Sequence, residues 1–128
     1  MKLLFWNSYH GFTRSPPEME PPLQRRIRFV QWIQEQSPDI VALLEMKGFD
    51  ADSLGTLAAH WGHGSHVLNA GEFPIALTCR DFIRHPICHH DRMVNGFLSV
   101  QAGSLPVFIT HIPPARFCNR SEELRQLL

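Results

Sequence analysis

Ser37-Pro38-Asp39-Ile40-Val41-Ala42-Leu43-Leu44-Glu45 is the stretch that decides the fold. Ser-Pro-Asp stops a preceding helix, five apolar residues follow, and the run ends on a carboxylate. A strand buried on both faces reads as a continuous apolar run of this kind. An open α/β sheet places its ligands just beyond the carboxyl ends of its strands. Glu45 is therefore a candidate metal ligand or acid/base group.

Working back from Ser37, the residues Leu23, Ile27, Val30 and Ile33 fall on one helical stripe, with Arg25, Arg26, Arg28 and Gln31 largely off it. Pro22 suits the first turn of that helix. Before the helix, prolines 16, 17, 21 and 22 make a loop, and Lys2 to Trp6 reads as a short buried first strand. Strand, helix and strand joined by a long crossover form a βαβ unit, so the two strands are expected to run parallel.

Downstream, Asp52 or Ser53 is a candidate cap for a short helix through Ala59. Gly62 to Leu68, Ile75 to Cys79, Phe82 to Ile87, Gly96 to Ala102 and Pro106 to Ile112 read as short strands joined by tight turns. Such a succession predicts an antiparallel meander. Arg120 to Leu128 reads as the start of a helix.

The chain has 128 residues, which is one domain with enough length to bury a core. Twelve basic and twelve acidic residues balance to a formal charge of zero, so no electrostatic footprint for nonspecific nucleic-acid or membrane binding is present. A phosphate-bearing substrate stays open, because a metal can supply the positive charge. The odd set of widely spaced cysteines, Cys79, Cys88 and Cys118, argues for a reducing compartment and for small buried side chains rather than a disulfide framework. Leu3-Leu4-Phe5-Trp6 is too short for a signal-peptide core, and no apolar run is long enough to span a membrane. The expected location is cytoplasmic.

Three polar residues fall at strand ends. Asn7 follows Phe5-Trp6, Glu45 follows Leu43-Leu44, and His111 follows Val107-Phe108-Ile109-Thr110. A carboxylate to hold a hard cation, an amide to orient ligand and an imidazole to donate to a phosphoryl oxygen are the parts of a metal-assisted phosphoester hydrolase. The plain alternative is that each merely marks where a strand emerges into solvent. The histidines at 60, 63 and 66 are a weak zinc candidate, because strand alternation points His63 and His66 to opposite faces. Cys79 and Cys88 with His89-His90 lack finger-like spacing. Arg80 could steer a phosphate, although a solvated arginine at a strand end is the simpler reading.

Phe5-Trp6-Asn7, Pro38-Asp39-Ile40-Val41-Ala42-Leu43-Leu44-Glu45 and Phe108-Ile109-Thr110-His111-Ile112-Pro113, in this order, resemble the endonuclease/exonuclease/phosphatase superfamily. That superfamily includes DNase I-like nucleases, sphingomyelinases and inositol polyphosphate phosphatases. Gly71 to Arg80 is similar to its segment in which a glycine-led strand ends in a Ser- or Cys-Arg pair. The resemblance implies an α/β fold, the N-terminal half of a four-layer sandwich, with one mixed sheet and helices on one face. It implies hydrolysis of phosphodiester or phosphomonoester bonds with a divalent cation, Mg2+ or Mn2+. Glu45 matches the metal-binding glutamate, Asn7 the asparagine beside the metal, and His111 the histidine that contacts the scissile phosphate.

The family's later Asp-x-Asn and Asp-His motifs, which supply the general base, have no counterpart here. His89-His90-Asp91 and Arg92-Met93-Val94-Asn95 stand too early in the order to replace them. Residues 1–128 are thus expected to be a partial domain truncated before its second half, with little or no activity as the isolated chain. Its inner sheet face is expected to be open and to be covered by a second copy or by a second-half partner. The substrate is expected to be a phosphate ester, nucleic acid among the options, and no membrane is involved. The alternative from a different class is a non-catalytic remnant or interaction module that buries this face on a partner.

Overall fold

β1 (Leu3–Asn7) and β2 (Ile40–Leu44) run parallel, as the crossover through α1 (Pro22–Gln36) requires. They belong to a computed structural model that describes residues 1–89 and 97–111. α2 (Ala51–Ala59), β3 (Ser65–Asn69), β4 (Ile75–Cys79), β5 (Ile83–His89), β6 (Phe97–Ala102) and β7 (Leu105–Thr110) follow. The helix expected over 120–128, Cys118 and the Arg92-Met93-Val94-Asn95 segment lie outside the described residues.

The strands form two sheets. One is mixed and four-stranded, in the order β1-β2-β4-β3, and the other is a three-stranded antiparallel sheet, β5-β6-β7. The α/β class and the helices on one face are as expected. The meander holds for β5 to β7, but it breaks at Arg80 to Phe82, where the chain leaves the first sheet after β4 has paired antiparallel to β2.

Both faces of the central strands are buried, which is why β2 is apolar throughout and β4 is apolar but for Thr78. Val41 and Leu43 face Phe29 and Ile33 of α1 and Leu54, Leu57 and Ala58 of α2. Ile40, Ala42, Leu44, Ile75, Leu77 and Cys79 face Leu98, Val100, Ala102, Val107 and Ile109 of the second sheet. The expectation of a single sheet with an open inner face is therefore corrected: β5–β7 of the same chain cover β2 and β4. Only β1 lies beyond that cover. Leu3 and Phe5 point the same way as their register partners Ile40 and Ala42, yet Phe5 is 57% exposed and Ala42 is buried. The first strand is thus an edge strand, not the buried one expected.

Several local details depart from the sequence pattern. The buried face of α1 is Arg25, Phe29 and Ile33, whereas Leu23 is 66% and Ile27 43% exposed. The i, i+4, i+8 spacing of the true face follows the large ring of Phe29, which packs against Trp6, Phe12 and Trp61 with centroids 5.3, 5.0 and 5.8 Å apart. α2 is capped by Asp50, not by Asp52 or Ser53. Asp50 Oδ1 accepts from Ser53 N–H at 2.7 Å and Ser53 Oγ accepts from Asp50 N–H at 2.9 Å, a reciprocal capping box. Cys79 is buried as expected, but Cys88 is exposed. Pro86 is tolerated because β5 is an edge strand with an irregularity between Arg84 and Ile87. Among the described residues no helix is long and apolar enough to cross a membrane.

Candidate functional site

The carboxyl ends of β1, β2 and β7 bring three side chains together. Asn7 is the last residue of β1, Glu45 follows Leu44 of β2, and His111 follows Thr110 of β7. Asn7 Nδ2 donates to Glu45 Oε1 at 3.0 Å, and His111 Nε2 lies 3.6 Å from the same oxygen. Tyr9 N–H donates to Asn7 Oδ1 at 2.8 Å, which fixes the amide with its NH2 toward the carboxylate. The second carboxylate oxygen, Oε2, accepts from His10 N–H at 3.3 Å. The side chains of Glu45 and His111 keep only 14% and 18% of their exposure, so the carboxylate sits in a recess. The ring of Phe73, from the turn between β3 and β4, meets His111 edge-on at 5.8 Å.

The backbone around Glu45 is unusual. Glu45 has φ 55°, and Tyr9, His10, Gly11 and Phe12 have φ 52°, 58°, 65° and 61°. Residues 9–12 thus trace one left-handed turn, closed by Phe12 N–H donating to Ser8 O at 3.1 Å. Each non-glycine residue in this region costs of order 1–2 kcal/mol. Such strain persists only where surrounding contacts over-determine it, and it concentrates at functional sites. The contacts are present. Ser8 Oγ is buried 2.9 Å from Leu44 O and 2.8 Å from Glu45 O, and it accepts from Gly11 N–H at 3.0 Å. Gly11 is required, because a Cβ there would lie 2.0 Å from Lys47 O. Beneath the turn, the buried Arg25 guanidinium donates to carbonyls of the same segment.

The other candidates from the sequence do not join this cluster. Arg80 holds Ser37 O, Ser37 Oγ and Pro38 O at 3.1, 3.0 and 3.1 Å, at the opposite end of β2 from Glu45, where it closes the α1–β2 connection. His63 is buried with Nδ1 2.8 Å from Thr78 Oγ1 and Nε2 2.9 Å from Pro38 O, so both nitrogens serve structure. His66 packs its ring on the α2 backbone at Gly55. Among the described residues no three His, Cys, Asp or Glu side chains converge as a metal cluster. The sequence reading missed Ser8, His10, Arg25 and Phe73. The signal for Ser8 to Phe12 was Gly11, a glycine just after a strand end, which marks close backbone approach.

No protein-family model matches the sequence, and no curated protein matches it. Among solved structures, an AP endonuclease from Archaeoglobus fulgidus superposes with a TM-score of 0.70 at 14% sequence identity, covering 99% of this chain and 49% of that chain. The chain spans about half the length of the solved structure it matches. At this identity the likeness shows the fold alone: the described α/β sandwich is shared with that structure.

Proposed function

We propose that this chain carries one wall of a metal-dependent phosphoesterase site, for hydrolysis of a phosphodiester or phosphomonoester. The observation that carries the proposal is the convergence of Asn7, Glu45 and His111 at three strand ends of an endonuclease-like fold, with the Glu45 carboxylate contacted by both partners. The donor set suits a hard cation. Mg2+ takes one or two carboxylates, keeps several waters and completes its shell with substrate phosphate. Glu45 is the carboxylate, and Asn7, whose amide NH2 faces it here while Tyr9 N–H holds the oxygen, would be a second hard donor with its amide turned over. A bound Mg2+ or Mn2+ would supply Lewis-acid polarisation of a phosphoryl oxygen. The protein's own part is to fix Glu45 through the Asn7 amide and the His10 N–H, and to present the His111 imidazole to the phosphoryl oxygen. Phosphate esters are the substrate class, nucleic acid included.

One carboxylate is the minimum for such an ion, and a general base contributes ~10²–10⁴-fold in this kind of chemistry. The isolated chain is therefore expected to bind metal more readily than it turns substrate over. Mn2+ binding followed by electron paramagnetic resonance is expected to weaken at least tenfold in Glu45→Gln. Equal Mn2+ affinity in the two proteins would remove the site. Hydrolysis of bis(p-nitrophenyl) phosphate with Mg2+ is expected to be slight. Robust turnover that vanishes in Glu45→Ala would keep the site and overturn the expectation of low activity.

A further inference from the structure

Arg25 is the one charged residue of α1 on its buried face, at 5% exposure, and no carboxylate pairs with it among the described residues. A buried charge is expensive unless it is paired or fully hydrogen-bonded. Here the acceptors are backbone carbonyls of a single segment, reached by one nitrogen, and the buried Nε has no partner among the described residues. Nη2 donates to Ser8 O, to Tyr9 O at 3.3 Å and to Arg14 O at 2.7 Å. The guanidinium carbon lies 5.2 Å from the centre of the Phe12 ring and 5.9 Å from that of Tyr9. Every one of these partners belongs to the left-handed turn or flanks it. Ser8 O is also the acceptor that closes the turn.

We propose that Arg25 is the positioning residue of this site: its guanidinium holds the left-handed turn of residues 9–12 and, through it, the Glu45 carboxylate. Two routes lead from the turn to Glu45. His10 N–H reaches Oε2, and Ser8 Oγ bridges to the carbonyl oxygens of Leu44 and Glu45. A turn of this hand does not form from Tyr-His-Gly-Phe by local preference, because Tyr9, His10 and Phe12 each resist positive φ. Nη2 alone addresses three carbonyls while the planar guanidinium lies over the Phe12 and Tyr9 rings, and a lysine's shorter stem and compact ammonium do not reproduce that placement. Arg25 bonds the turn and not the side chain of Asn7, Glu45 or His111, so its effect reaches the chemistry only through Glu45.

This rests on Glu45 as the metal-holding carboxylate, and the test separates the two ideas. In the full chain, Arg25→Lys is expected to raise amide hydrogen exchange at His10 and Phe12 at least tenfold, with β2 and β4 amides unchanged. Mn2+ affinity is expected to fall about tenfold in the same variant. Unchanged exchange at His10 and Phe12, or a uniform rise across the sheet, overturns the positioning role. A local rise in exchange with Mn2+ affinity unaltered overturns the link to Glu45. If wild type and Glu45→Gln bind Mn2+ alike, the metal site itself is wrong, whatever Arg25 does to the turn. A measurement on the wild-type chain covers the case in which Arg25→Lys does not fold. Arg25 should give separate, slowly exchanging Nη signals in NMR, unlike the exposed Arg28 and Arg84. One averaged Arg25 signal would sink the proposal.

Discussion

Gly11 shows how a single residue sets the geometry beside Glu45. Its φ of 65° and the 2.0 Å approach of a hypothetical Cβ to Lys47 O leave room for no other side chain. Gly11→Ala adds a left-handed penalty to a backbone clash and is expected to cost about 2–5 kcal/mol, read as a lower denaturation midpoint. A midpoint within error of wild type would mean that the turn relaxes freely. His63 works at the other end of β2. Trp61 Nε1 donates to Thr78 Oγ1 at 3.2 Å, the Thr78 hydroxyl donates to His63 Nδ1, and His63 Nε2–H donates to Pro38 O. This chain of donors is complete only when the imidazole is neutral. Burial pulls the His63 pKa below its ordinary 6.5, with the Arg80 charge acting the same way and the Pro38 carbonyl and Asp39 opposing. The unfolded chain then binds the proton more readily than the folded one. The contribution of neutral His63 is fully present above pH 6.5 and is lost as pH falls from there toward the folded-state pKa. Thermal melts of wild type should drop over that interval. His63→Leu should leave the Thr78 hydroxyl without its acceptor while Pro38 O keeps Arg80 Nη2, cost about 1–3 kcal/mol at neutral pH, and flatten that part of the profile. An unchanged pH slope in His63→Leu would assign the acid sensitivity elsewhere.

At the scale of elements, α1 separates what periodicity can tell from what it cannot. Leu23, Ile27, Val30 and Ile33 make a credible stripe in sequence, yet the face that packs is Arg25, Phe29 and Ile33. Apolar spacing alone cannot rank one large ring above two aliphatic side chains, nor foresee that an arginine is drawn inward by unpaired carbonyls of a strained turn. Phe29→Ala is expected to destabilise by about 3–5 kcal/mol because its ring closes against Trp6, Phe12 and Trp61. Leu23→Gln and Ile27→Gln should stay within about 0.5 kcal/mol, as exposed positions do. Chemical denaturation that reversed this ranking would put the other stripe inside. By contrast, β2, β4 and the placement of Asn7, Glu45 and His111 at strand ends were legible, because a doubly buried strand has to be apolar and has to end where water begins. Asp50 was not, since its capping role depends on Ser53 answering its N–H, which three residues of spacing suggest but do not decide. Ser8 and His10 act through an oxygen and a backbone N–H, atoms that carry no pattern of their own along a chain.

At the scale of the whole molecule, the mixed sheet belongs to two cores at once. Its outer face packs on the helices and its inner face on β5–β7. β2 and β4 are shared by both, so neither core can open alone, and the described fold is expected to melt in one transition. The sequence suggested an inner face open along its full width, with a second copy or a second-half chain covering it. The second sheet narrows that demand to β1, whose outer edge is unpaired among the described residues and whose Leu3 and Phe5 stand uncovered on its inner side. An edge strand with exposed apolar side chains is a template for pairing with another chain, and an edge lysine blocks it. The zero formal charge of the chain offers no long-range repulsion against self-association. Light scattering is therefore expected to show an apparent mass that rises with concentration, and Phe5→Lys should hold the protein monomeric. The substitution is at an exposed position, so the melting temperature should barely move while the concentration dependence disappears. A wild-type chain that scatters as a monomer at every concentration would leave β1 without a second copy.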